Sequence, residues 1–272
     1  MAAPAWIVDL DGVVWRQGEA IPGAARFFEA VRARGQAAVV VSNNSAPTVE
    51  TYLEQLRAIG IPLERHQVVS SGMAAARYLV DQGIREGVLA VGEAGLFQAL
   101  REAGIEALPA GQPVGMPSAR VQAVVVGIDR SFTYAKLEAA CRAIRAGSRF
   151  VATNPDLTVP ARDGGVVPGC GALVAAVAAC SGVRPVVVGK PERPILELAL
   201  ARLGVREGED RSHVVVVGDR LDTDVTFARR GGLTSALVLT GITRREDLDR
   251  SEIRPDYVFE DLGALAEALA GG

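Results

Sequence analysis

The sequence predicts an α/β protein with a doubly wound, Rossmann-like parallel-sheet core and a second, smaller inserted α/β domain. Three observations predict it. Short β-branched runs without polar alternation recur along the chain, as expected of parallel strands covered on both faces. Helical apolar periodicity separates them. A Pro- and Gly-rich stretch with strands and helices of its own interrupts the series in the middle.

Ala5 to Val8 is the first apolar run and ends at Asp9; Gln36 to Val41 is the second. Between them Pro22 can open a helix, Ala24, Phe27, Phe28 and Val31 share one face, and Gly35 closes it. A second helix carries Val49, Tyr52, Leu53, Leu56 and Ile59 on one stripe and stops at Gly60, and Gln67 to Ser70 reads as a further short strand. Downstream, Val186 to Val188, Val214 to Val217 and Ser235 to Leu239 read as core strands, separated by helices at about 192–203 and 223–230. The middle reads as strand 87–91, helix 93–103, a connector through Pro109, Pro113 and Pro117, strand 121–126 and helix 134–145. The expected organisation is a core from 1–83 and 184–272, interrupted by a domain at about 84–183.

Hydrophobic residues make up 49% of the 272-residue chain and charged residues 22%, a globular profile. A formal net charge of −3 offers no basic footprint for nucleic acid or an anionic membrane. No apolar stretch approaches the roughly 20 residues that span a bilayer, so the chain reads as cytoplasmic. Cys141, Cys170 and Cys180 lack metal-type spacing and read as reduced packing residues. Lys136 and Lys190 are the only lysines among 29 basic residues, which singles them out where a compact ammonium is needed in place of a guanidinium fork.

The chemistry gathers at strand ends, where open α/β sheets bind ligands. The first strand runs into Asp9-Leu10-Asp11-Gly12, and extended geometry continued through Leu10 sends both carboxylates the same way. Val39 to Val41 leads into Ser42-Asn43-Asn44, Val186 to Val188 into Gly189-Lys190-Pro191, and Val214 to Val217 into Gly218-Asp219 with Asp222 and Asp224. Acids, hydroxyl, amides and a lysine at four strand ends suit phosphoryl transfer. Asp9 is the candidate nucleophile, and Asp11 the acid and then base. Lys190, Ser42, Asn43 and Asn44 are placed to hold phosphoryl oxygens. Mg2+ is the expected cofactor, ligated by Asp9, the backbone carbonyl of Asp11 and Asp219, with Asp222 and Asp224 orienting its water. Gly189-Lys190 is followed by Pro191 and is no P-loop, and Gly169-Cys170-Gly171 is only a fragment of a dinucleotide fingerprint.

These four motifs resemble the haloacid dehalogenase superfamily, in its para-nitrophenyl phosphatase-like branch, where an α/β cap is inserted between the second and third motifs. Gly127-Ile128-Asp129, Phe132 to Leu137 and Ala152-Thr153-Asn154-Pro155-Asp156 are similar to cap sequences of that branch. The resemblance implies a phosphomonoesterase working through an aspartyl phosphate, a small phosphorylated metabolite as substrate and a homodimer through the cap. Asn154, Asp156 and Val159 are then candidate pocket residues, and the apolar Val159 favours a small aliphatic ester such as glycerol phosphate or phosphoglycolate. Transfer to another acceptor, and phosphometabolite binding without turnover, stay open as alternatives.

Overall fold

A computed structural model describes residues 4–16, 18–111, 121–160, 165–206 and 208–271. Pro113 and Pro117 of the expected connector lie outside these residues. In chain order the strands are β1 (Ala5–Asp9), β2 (Trp15–Arg16), β3 (Glu19–Ala20), β4 (Ala38–Ser42), β5 (Val68–Ser70), β6 (Val88–Val91), β7 (Ala107–Pro109), β8 (Ala123–Val126), β9 (Arg149–Ala152), β10 (Thr158–Pro160), β11 (Val166–Pro168), β12 (Val186–Val187), β13 (Val214–Gly218), β14 (Thr234–Val238) and β15 (Tyr257–Phe259). The helices are α1 (Ala24–Ala33), α2 (Val49–Ala58), α3 (Ser71–Asp81), α4 (Ala94–Glu102), α5 (Tyr134–Arg145), α6 (Cys170–Ser181), α7 (Arg193–Arg202), α8 (Thr226–Gly231), α9 (Arg245–Arg250) and α10 (Leu262–Gly271).

The chain divides into two compact units. The first holds the described residues of 1–42, 49–69 and 190–272. Its six-stranded sheet has the order β15-β14-β13-β1-β4-β5, and β1 pairs in parallel with both β13 and β4. Val8, Val39, Val40 and Val217 are buried on this sheet, with Phe27, Leu56, Ile195 and Phe227 from helices packed in the same core. Each such side chain contributes roughly 1.5–3 kcal/mol on burial. Strand order reverses at β1, because the chain moves outward to β4 on one side and later builds β13, β14 and β15 on the other. That reversal is a topological switch point, where the carboxyl ends of neighbouring strands leave a crevice.

The second unit holds 43–48 and the described residues of 70–189. The insertion expected at 84–183 falls inside it. A five-stranded parallel sheet of order β12-β9-β8-β6-β7 carries α5 and α6 over a core that includes Val124, Val126, Ile144, Phe150, Val174 and Val177. β10 and β11 form a separate antiparallel pair.

Several expectations need correcting. Val186 to Val188 was expected in the core sheet, but β12 pairs with β9 in the second sheet, Val186 beside Val151 and Val187 beside Ala152. Two apolar residues have no pattern that says which of two parallel sheets they extend. The single helix expected at 223–230 is a π-helical turn, Leu221–Val225, followed by the short α8. Cys141 and Cys170 are buried as expected, whereas Cys180 is exposed.

Candidate active site

At the switch point, parallel pairing sets Asp9 opposite Val41 and Val8 opposite Val217, so Asp9, Ser42 and Asp219 emerge from three adjacent strands. Lys190, just before α7, reaches into the same place and is 3% exposed. Its Nζ donates to Asp9 Oδ1 at 2.6 Å and to Asp224 Oδ1 at 2.7 Å. Asp219 is 1% exposed. Its Oδ2 accepts the Ile242 amide at 2.7 Å, while Oδ1 is buried with no hydrogen-bond partner among the described residues.

Oxygens of Asp9, Asp219 and Asp224 lie within 4.8 Å of one another. Three carboxylates against one ammonium leave excess negative charge out of water, which is costly unless protons or a cation balance it. The carboxyls respond accordingly. Burial pushes Asp9 well above its ordinary value despite the pull of Lys190, with Asp224 and Asp219 adding to the rise. Burial and then Asp224 push Asp219 up to about 7. Burial alone drives Lys190 down, but Asp224 and Asp9 overcome it and hold the ammonium above its usual range. An all-oxygen donor set with an orphaned buried carboxylate oxygen fits a hard divalent cation.

Close backbone approach makes this packing depend on glycine. A Cβ at Gly218 would sit 2.1 Å from Asp224 Cβ, and one at Gly241 would sit 1.9 Å from Asp219 Oδ2. The π-helical turn contributes as well, because the Asp224 and Val225 amides both donate to Arg220 O, and Asp224 Oδ2 accepts the Arg220 amide at 3.2 Å.

The remaining expected site residues divide. Asp11 follows the end of β1, so extended geometry does not continue through it; its carboxylate stands outside the three-acid cluster, and Oδ1 accepts from Trp15 Nε1 at 3.0 Å. Ser42 is buried and its Oγ accepts from the Tyr52 hydroxyl at 3.3 Å. Asp222 points away: its side chain is 70% exposed and paired with Arg220, which holds its carboxyl below the ordinary value. Asn43, Asn44, Asn154, Asp156 and Val159 belong to the second unit. There Asn154 Nδ2 and Ser71 Oγ both donate to Asn43 O at 2.6 Å, and Asn43 Nδ2 donates to Asp156 Oδ2 at 3.0 Å. Asn154 and Asp156 therefore brace the second motif itself. Asn44 Oδ1 caps the Ala46 amide at 3.0 Å, and Val159 is half-buried in β10.

Residues 6–106 match the model of the haloacid dehalogenase-like hydrolases, and residues 187–265 match a HAD-hydrolase-like model. An acid sugar phosphatase of Staphylococcus aureus is 36% identical over 264 residues, 97% of either chain. The chain belongs to the haloacid dehalogenase-like hydrolases. Among solved structures, the p-nitrophenyl phosphatase from Archaeoglobus fulgidus superposes with a TM-score of 0.87 at 34% identity, covering 98% of this chain and 100% of that one. NagD from Escherichia coli K-12 does so with a TM-score of 0.85 at 30% identity, covering 97% and 98%. Within the haloacid dehalogenase-like hydrolases the chain falls in the para-nitrophenyl phosphatase-like branch, and it is a phosphomonoesterase by class.

Sequence reasoning missed part of this hydrolase's site. Trp15, Tyr52, Gly241 and Ile242 touch Asp11, Ser42 and Asp219, yet Tyr52 reads only as part of a helical apolar stripe, and no motif singles out Trp15, Gly241 or Ile242. The available signal was position, since Gly241 lies just beyond the carboxyl end of β14, a neighbour of the acid-bearing β13.

Proposed function

We propose that this enzyme is a magnesium-dependent phosphatase of small soluble phosphate monoesters that works through an aspartyl phosphate on Asp9. The observation that carries the reading is Lys190 bridging Asp9 and Asp224 beside the orphaned Asp219 oxygen. A carboxylate approaching a phosphate dianion meets repulsion of about 4 kcal/mol per charge pair at ~4 Å in a medium of effective dielectric ~20. Asp9, Asp219 and the Asp11 backbone carbonyl would hold magnesium, which would supply the positive charge that offsets it.

Asp9 attacks phosphorus, while Lys190 and Ser42 hold the equatorial oxygens. Asp11 gives its proton to the departing alkoxide, then takes one from the water that opens the aspartyl phosphate. Asp224 keeps Lys190 in place between the two carboxylates. In the second unit, the brace of Asn154 and Asp156 sets Asn43, and the insertion at 84–183 serves as the cap that selects the substrate. Glycerol phosphate and phosphoglycolate are the preferred substrate types on the apolar character of Val159. The relative named as an acid sugar phosphatase adds sugar phosphates to the panel.

The test is phosphate release from para-nitrophenyl phosphate and a panel of phosphorylated metabolites, with magnesium, with EDTA, and after Asp9→Asn. Release should need both the metal and Asp9, and trapping should recover the phosphoryl group on Asp9. Turnover that survives Asp9→Asn and EDTA would remove the reading.

A further inference from the structure

One aromatic pair has no task in these steps. Beyond β1 the chain doubles back at once: the Val14 and Trp15 amides donate to Leu10 O at 2.9 and 3.1 Å, and the Gly12 amide donates to Trp15 O at 2.8 Å. Gly12 makes the reversal at φ 88°, where a side chain is strained, and a Cβ there would also stand 2.7 Å from Asp219 Oδ2. The reversal carries the indole back to the acid four residues earlier, and Trp15 Nε1 meets Asp11 Oδ1 at 3.0 Å.

The indole is held on its other side too. Trp15 is 4% exposed, and its ring stacks on that of Tyr52, centroids 6.2 Å apart and planes 2° apart. Tyr52 is itself 2% exposed on α2, with its hydroxyl on Ser42 Oγ. Asp11, in contrast, is exposed. A carboxyl with nothing to hold it would explore several rotamers, and fixing one at the moment of proton transfer costs entropy. An indole N–H donates and never accepts. Oδ1 is therefore committed as an acceptor, and the acidic proton belongs on Oδ2.

We propose that Trp15 is a positioning residue: its N–H fixes the Asp11 carboxyl so that Oδ2 presents the proton to the leaving oxygen. This rests on the reading of Asp11 as the general acid. A poor leaving group needs that proton and a good one does not. Trp15 therefore acts on alkyl esters far more than on para-nitrophenyl phosphate, whose phenolate departs readily without it.

The experiment compares kcat/KM for para-nitrophenyl phosphate with that for the alkyl phosphate the wild-type enzyme hydrolyses fastest. Trp15→Phe keeps a stacking ring and removes the donor; Trp15→Leu, which has no donor either, takes its place if the first variant does not fold. The ratio of aryl to alkyl kcat/KM should rise about 10-fold or more, a part of the roughly 10²–10⁴ that the whole general acid supplies. Asp11→Asn should raise the same ratio, and adding Trp15→Phe to it should raise the ratio no further. Equal loss on both esters, or no loss on the alkyl ester, overturns the role of Trp15. Neither result touches the nucleophile, whose own failure is read separately from Asp9→Asn.

Discussion

Lys190 is enclosed by the two acids it joins: its side chain is 3% exposed, that of Asp9 11% and that of Asp224 2%. Removing one partner of such a group leaves buried charge uncompensated, at about 3–5 kcal/mol. Lys190→Met should therefore lower the melting temperature in metal-free buffer as well as cut kcat/KM on the order of 10²–10³-fold, the scale of a lost oxyanion donor. Lys190→Arg should not restore activity, because a planar fork cannot replace a point charge between Asp9 Oδ1 and Asp224 Oδ1. Steady-state kinetics and thermal melts of both variants check this. At this scale Asp9, Lys190 and Asp219 were legible, since each stands at the end of an apolar run or one glycine beyond it. Trp15 was not. An indole donor four residues after an acid has meaning only once Gly12 has reversed the chain.

The ends of elements aim these side chains. β13 closes with Gly218, and the π-helical turn that follows doubles the amides on Arg220 O and swings Asp224 back under the strand end. The approach there is so close that a methyl group at Gly218 would overlap Asp224 Cβ at 2.1 Å. Gly218→Ala should therefore displace Asp224, weaken its bond to Lys190 and reduce kcat at least about 10-fold, with a destabilisation in the 1–3 kcal/mol range of overpacking. Denaturant unfolding alongside turnover measures both; unchanged values would mean that the strand end shifts without cost. From sequence the helix expected at 223–230 had the right location, and α8 bears out its second part, but its first turn is π-helical, because there two amides share one carbonyl. β12 was misplaced for a similar reason, since only sheet register assigns so short a strand.

Over the whole molecule the acid cluster links stability to pH and metal. Asp219 has its folded value raised from the ordinary carboxylate range to about 7, and Asp9 is raised as well. Between the unfolded and folded values the folded chain holds more protons, so metal-free stability should fall as pH rises from about 4 toward 7. Magnesium that binds only the folded chain should raise the melting temperature most at the upper end of that window. Asp219→Asn should flatten the pH slope in EDTA. Melting curves from pH 5 to 8, with EDTA and with magnesium, give the answer, and a metal-free slope of the opposite sign would contradict the cluster's energetics. Among the described residues no helix is long and apolar enough to cross a membrane. By itself the sequence determined the α/β class, the inserted second unit and the four motifs, because burial on both faces and strand-end chemistry are written in local order. Only the tertiary structure decided that Asp224 joins the cluster while Asp222 faces solvent, that Asn154 and Asp156 brace Asn43, and that Trp15 holds Asp11. Those contacts depend on directions set by turns and by close glycine packing, which spacing along the chain does not encode.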